Sequence, residues 1–223
     1  MVEMNVRLSV LATLLLAACS VGVASPNARP HLVDNREALN TECVPHLEPG
    51  EGGTATHTFS ADGFRYRTDA QGRPARAVAT RPLGDRAEQP RDRWCEHAVG
   101  RAFTPGNSKF RRYTGAHLIG TQLGGVSRRY NLVPQDSSFN SVIYKRVEVQ
   151  AAKCEAGDGV FMGVDVSYPN ETTLVPGTFL VRVWSEKRAE KRATFANTRG
   201  ADHAEALVRA DVLADFLEEA CGG

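Results

Sequence analysis

The chain has 223 residues, of which 42% are hydrophobic and 24% charged, and its formal net charge is +1. That length carries one domain with appendages around a buried core, and the composition excludes a disordered or fibrous chain. A charge so near zero excludes a strong global field, so attraction for a polyanion must come from local patches.

Residues 8–18 are almost wholly apolar, follow Arg7 and are too short to span a bilayer comfortably. Residues 1–18 are therefore predicted to be an export signal. Leu16-Ala17-Ala18-Cys19 resembles the bacterial lipobox, which favours acylation of Cys19 and a lipid anchor in the membrane; cleavage after Gly22-Val23-Ala24 is the alternative. Both place the protein outside the cytoplasm, extracellular or on the cell surface. There, Cys43, Cys95, Cys154 and Cys221 read as two disulfides. Of the three pairings, the preferred one joins Cys43 to Cys95 and Cys154 to Cys221, the second pinning the C-terminal helix to the body. No Cys-x-x-Cys spacing occurs, which argues against a zinc finger.

Residues 19–53 are rich in Pro, Gly and polar groups and read as a tether, with the folded domain over 54–223. Residues 56–59, 63–69 and 74–80 alternate apolar and polar side chains between turn signals, predicting an antiparallel meander. Residues 83–112 are polar and arginine-rich and read as a short helix with loops. Residues 117–119 read as a short strand or its exit, and 120–130 as loop. A helix is predicted over 140–156, with Val142, Val147 and Val149 partly buried. Strands are predicted over 160–168 and 179–184, and 185–199 reads as charged and solvated. Residues 201–220 form an amphipathic helix with Ala204, Leu207, Val208, Val212, Leu213 and Phe216 on one stripe.

The chemistry concentrates in one window. His117 is preceded by Gly115-Ala116 and followed by Gly124-Gly125, which leaves backbone room for a bulky polyanion. Asn131, Asn140 and Glu148 follow. Asn140 and Glu148 are eight residues apart, about two helical turns, so their side chains point to broadly the same side. An amide oxygen and a carboxylate suit Mg²⁺, which prefers oxygen and keeps several waters. A histidine able to take a proton from water beside such an ion can cut a phosphodiester. Each residue alone has a plain structural reading: Asn140 as a helix cap, Glu148 as an exposed charge, Asn131 as a turn. Their conjunction carries the functional one. His31, His46, His57, His97 and His203 have no such setting.

The ordered set His117-Leu118-Ile119, Leu123-Gly124-Gly125, Asn131-Leu132-Val133-Pro134, Asn140 and Tyr144-Lys145-Arg146-Val147-Glu148, with Tyr66-x-Thr68-Asp69-x-x-Gly72-Arg73 upstream, resembles the DNA/RNA non-specific endonuclease family, the ββα-metal nucleases of secreted bacterial proteins. The resemblance covers roughly 56–185. It implies an α+β fold, an antiparallel sheet carrying a ββα-metal finger, here with the C-terminal helix packed behind. It also implies that His117 is the general base, that Asn131 orients the site around it, that Asn140 binds Mg²⁺ (with Mn²⁺ as a substitute), and that Glu148 holds the metal's water shell. DNA and RNA are the implied substrates, cut with little sequence preference to give 5′-phosphates. A transition-state arginine is expected upstream, with Arg81 and Arg86 as candidates. Arg128, Arg129, Lys145 and Arg146 are expected to touch the phosphate backbone, with Arg111 and Arg112 nearby; such contacts supply affinity without reading sequence. One departure stands out: the family's Asp-Arg-Gly-His run reads Thr114-Gly115-Ala116-His117. Two further readings follow, a weakened nuclease-fold lipoprotein that binds nucleic acid and an antibacterial toxin with an immunity partner. A stand-alone enzyme is the preferred expectation.

Overall fold

The computed structural model describes residues 58–103, 112–198 and 203–222. The predicted export signal, Cys19, the tether with Cys43, and Arg111 lie outside the described residues.

The meander forms as the alternation predicts: β1 (Thr58–Ala61), β2 (Phe64–Thr68) and β3 (Pro74–Ala79) pair antiparallel in sequence order. The chain then leaves the sheet and returns as β6 (Val160–Ser167), β7 (Thr178–Ser185) and β8 (Lys191–Ala196). The result is a six-stranded antiparallel sheet of order β1-β2-β3-β6-β7-β8. Between β3 and β6 lie α1 (Arg93–Ala102), a two-stranded ladder of β4 (Tyr113–His117) and β5 (Leu132–Asp136), a π-helical segment (Phe139–Tyr144) and α2 (Lys145–Ala151). The last element is α3 (His203–Cys221).

One face of the large sheet holds the core. Phe64 and Tyr66 of β2, Met162 and Val164 of β6, and Phe179, Val181 and Val183 of β7 are fully buried there. They join one cluster with Leu118, Ile119, Phe139, Ile143, Tyr144 and Val147 of the strand–strand–helix unit and with Leu213 and Leu217 of α3. Each such side chain contributes about 1.5–3 kcal/mol when removed from water. The ββα unit is thus pressed onto the sheet by its apolar residues. The upstream Asp69–Arg73 turn is part of this framework. Arg73 is buried, pairs with Asp69 at 2.6 Å, donates to the carbonyls of Asn170 and Thr173, and lies 4.0 Å from the Tyr168 ring centre. It ties the β2–β3 hairpin to the β6–β7 connection.

Three expectations need correction. Residues 185–199 contain a strand, β8, whose alternation rests on only Ala193 and Phe195 as buried residues amid charged ones. That is how an edge strand discourages pairing with other chains. The buried stripe of α3 is Ala206, Ala210, Leu213, Phe216 and Leu217, while Val208 and Val212 are 63% and 50% exposed. The two small alanines let the helix approach its neighbours, and a reading weighted by side-chain size puts the stripe out of phase. In the central helix Val147 is buried, but Val142 and Val149 face solvent, and α2 ends at Ala151.

Cys154 and Cys221 form the expected disulfide, closing a loop with a sequence separation of 67. Cys95 is also disulfide-bonded; its expected partner, Cys43, lies outside the described residues. Cys154, Cys221 and Asp158 cluster closely enough to suggest a metal, but the two sulfurs are already bonded to each other. Replacing both Cys154 and Cys221 with serine is expected to lower stability by about 2–4 kcal/mol, because the crosslink restricts the unfolded chain. Denaturant unfolding checks this, and an unchanged midpoint would show that the bond contributes nothing.

Candidate active site

His117 is the last residue of β4, and Asn131 stands just before β5. The two strands pair so that His117 faces Leu132 across the ladder. The loop between them, 118–130, is held by Asn131. Its Oδ1 accepts from the Ile119 N–H at 3.0 Å, and its Nδ2 donates to the carbonyls of Ile119 and Val126, both at 2.9 Å. Buried backbone groups need such partners, so one fully buried side chain fixes both sides of the loop. Asn131 therefore shapes the site without lining its cleft. The Tyr144 hydroxyl donates to the Leu118 carbonyl, fastening the same loop to the helix.

The helix begins where the Asp136 carboxylate accepts from the N–H groups of Ser138 and Phe139. Its first stretch is π-helical, with the Lys145 N–H reaching back to the Asn140 carbonyl. Eight α-helical steps overshoot two turns by roughly 80°, whereas the wider π turn reduces the overshoot. Asn140 and Glu148 thereby come to the same wall of one cleft, of about 310 Å³, whose other residues include His117, Gly120, Gln122, Lys145 and Arg91. Among the predicted residues, His117, Asn140, Glu148 and Lys145 converge there.

The electrostatics set two protonation states. Burial pushes the His117 imidazole down to about 4, against an upward pull from Glu96. The ring is therefore neutral at neutral pH and able to accept a proton. Its Nε2 lies 2.9 Å from Ser127 Oγ and 4.0 Å from Glu96 Oε1. Burial pushes the Glu148 carboxyl up to about 7, although Lys145, Gln122, Arg91 and the Gly120 backbone all pull it down. Gly120 is required by this approach: a Cβ there would sit 2.4 Å from Glu148 Oε1.

The donors suit a hard divalent cation. Glu148 is a buried carboxylate short of positive charge, with Lys145 Nζ only as near as 4.0 Å. Asn140 is half-buried in the same wall.

Other predicted residues go elsewhere. Arg128 lies with Ser127 in an adjoining depression that shares Arg91 with the cleft. Arg146 is ion-paired with Asp211 of α3, and Arg129 is half-buried. Neither Arg81 nor Arg86 lines the cleft. Arg86 lies 3.9 Å over the Phe64 ring and donates to the Gly63 carbonyl, and Arg81 pairs with Asp85 at 3.6 Å. The arginine in the cleft wall is Arg91, which holds Glu96 through two hydrogen bonds of 2.9 and 2.5 Å. Arg91, Glu96, Ser127 and Gln122 were not singled out by the sequence reading. One signal was available: Asp92 before Arg93-Trp94-Cys95-Glu96 is a helix-start pattern, and Asp92 does cap α1 by accepting from Trp94 and Cys95.

The strand–strand–helix unit thus turns a neutral imidazole, an amide and a buried carboxylate into one cleft. The family model described as DNA/RNA non-specific endonuclease matches residues 54–186. The chain belongs to this family and is a hydrolytic endonuclease. Two solved structures of NucA from Streptococcus agalactiae are similar. The form with no metal bound is 20% identical, the match covering 65% of this chain and 84% of that one at a TM-score of 0.45. The form with magnesium ion bound is 19% identical, covering 69% and 78% at 0.44. No curated protein matches the chain.

Proposed function

We propose that the protein is an exported, Mg²⁺-dependent endonuclease that hydrolyses DNA and RNA without strong sequence preference, using His117 as general base. The observation that carries this reading is the convergence of a neutral His117 with Asn140 and Glu148 on one cleft. His117 takes a proton from the attacking water, whose oxygen bonds to phosphorus as the bond from phosphorus to the 3′ oxygen breaks; the products are a 5′-phosphate and a 3′-hydroxyl, the 3′ oxygen taking its proton from solvent water. Asn140 and Glu148 would hold the cation, which when bound would supply stabilisation of the negative charge that develops in the reaction. Lys145 at the cleft and Arg128 beside it attract the backbone, which carries no base information and so fits a non-specific enzyme. Arg91, which lines the cleft with Lys145, is a second cationic side chain for a bound phosphate. Export, with a lipid anchor at Cys19, rests on the apolar leader and the lipobox-like run.

Incubating the protein with supercoiled plasmid and with total RNA, in Mg²⁺ or in EDTA, tests the reading. Both substrates are expected to be degraded in Mg²⁺ only. Cleavage that persists in EDTA would remove the metal from the mechanism, and cleavage of one polymer alone would end the claim of sugar non-specificity.

A further inference from the structure

His117 has two ring nitrogens, and only an unprotonated nitrogen open to the cleft can act as a base. The structure distinguishes them. Nε2 has partners on the protein, 2.9 Å from Ser127 Oγ and 4.0 Å from Glu96 Oε1. Nδ1 has no hydrogen-bond partner among the described residues, and His117 lines the cleft.

Ser127 Oγ already accepts from the Asp92 N–H at 3.1 Å. A hydroxyl oxygen has a second lone pair, so it can accept from His117 Nε2–H as well, or its own proton can be donated to an unprotonated Nε2. Glu96 decides between these. A carboxylate beside Nε2 favours the proton on that nitrogen, and the side chain is only 12% exposed, so solvent screens it weakly. With the proton on Nε2, the Nδ1 lone pair is left in the cleft.

The fold places Glu96 with little tolerance. Helix α1 rests backbone against backbone on β4. A Cβ on Gly115 would lie 2.3 Å from the Glu96 carbonyl oxygen, and one on Gly100 would lie 3.0 Å from that of Tyr113. Gly115 is the middle residue of the run that departs from the family pattern, so the departure has a structural use: it admits the helix that carries Glu96. The neighbouring Cys95 is buried and disulfide-bonded, which further restrains that turn.

We propose that Glu96 and Ser127 are positioning residues for His117, holding its imidazole as the Nε2–H tautomer with Nδ1 directed to the attacking water. The catalytic part of this inference rests on His117 being the general base; the tautomer itself does not. Arg91 completes the set by donating to both oxygens of Glu96, including the Oε1 nearest His117, and so keeping the carboxylate in place.

Imidazole ¹⁵N chemical shifts report the tautomer directly, and steady-state kinetics on plasmid DNA report its consequence. In the parent protein at pH 8, His117 should show a protonated Nε2. In Glu96→Gln and in Ser127→Ala the Nδ1–H form should gain population, with kcat falling at least tenfold and KM changing less than threefold. Ser127→Thr, which keeps the hydroxyl, should retain both the tautomer and the rate. A parent protein with Nδ1–H, or variants that lose activity with an unchanged tautomer, would overturn the proposal. Should Glu96→Gln not fold, the Ser127→Ala and Ser127→Thr pair decides alone. If His117→Asn cleaves normally while the tautomer still follows Glu96, the base assignment fails and the positioning stands.

Discussion

Replacing His117 with alanine or asparagine is expected to lower kcat by about 10²–10⁴-fold, the usual contribution of a positioned general base. The expectation follows from the state of the ring. With its proton affinity pushed down to about 4 by burial, His117 is neutral over the whole neutral range. Its protonation therefore does not limit the rate near pH 7, and any acid limb there must come from another group. Asparagine is the more informative variant, because its amide keeps a polar group near Ser127 and leaves no large cavity. Plasmid nicking in Mg²⁺, read beside thermal unfolding of each variant, separates chemistry from folding. Cleavage within threefold of the parent in both variants would remove His117 from the mechanism.

Much of the candidate site was legible because it lies on one continuous stretch of chain. His117, Asn131, Asn140 and Glu148 fall within a single strand–loop–strand–helix unit, where spacing translates almost directly into direction. Even so, the simple two-turn argument for Asn140 and Glu148 was incomplete, since it did not include the π turn that improves their alignment. What stayed hidden comes from outside that unit or from contacts across it. Glu96 and Arg91 belong to a helix and its approach segment, and their nearness to His117 depends on Gly100 and Gly115 letting two backbones touch. The sequence shows the glycines but not what they admit. Asn131 was recognised, yet its work of satisfying three backbone groups appears only once the loop is closed. The same limit explains β8 and α3. Where the buried residues are alanines among charges, hydrophobic periodicity is weak, and tertiary packing sets the phase.

Replacing Glu148 with glutamine is expected to separate stability from metal binding in opposite directions. The carboxyl titrates at about 4.5 when free of the fold and at about 7 within it, because burial opposes its charge. Below pH 4.5 both states are protonated and the group costs nothing. Between pH 4.5 and 7 the unfolded chain ionises while the folded one resists, so metal-free stability falls as pH rises. The fall levels off above pH 7 at roughly 3 kcal/mol. Glutamine keeps the shape without the charge, so in EDTA at pH 8 the variant should be more stable than the parent by on the order of 2 kcal/mol. Well below pH 4.5 the two should be equal. Mg²⁺ should reverse the order, stabilising the parent and leaving the variant unmoved, as a ligand that binds only the folded state must. Because the carboxyl must lose its proton to hold a cation, the parent's Mg²⁺ affinity should rise about tenfold per pH unit from pH 5 to 7 and then flatten. Thermal unfolding at several pH values, with EDTA and with Mg²⁺, measures every arm. A variant no more stable than the parent in EDTA at pH 8 would mean that Glu148 finds its charge compensated by the protein alone. A cleft of that kind would have no electrostatic need for the ion.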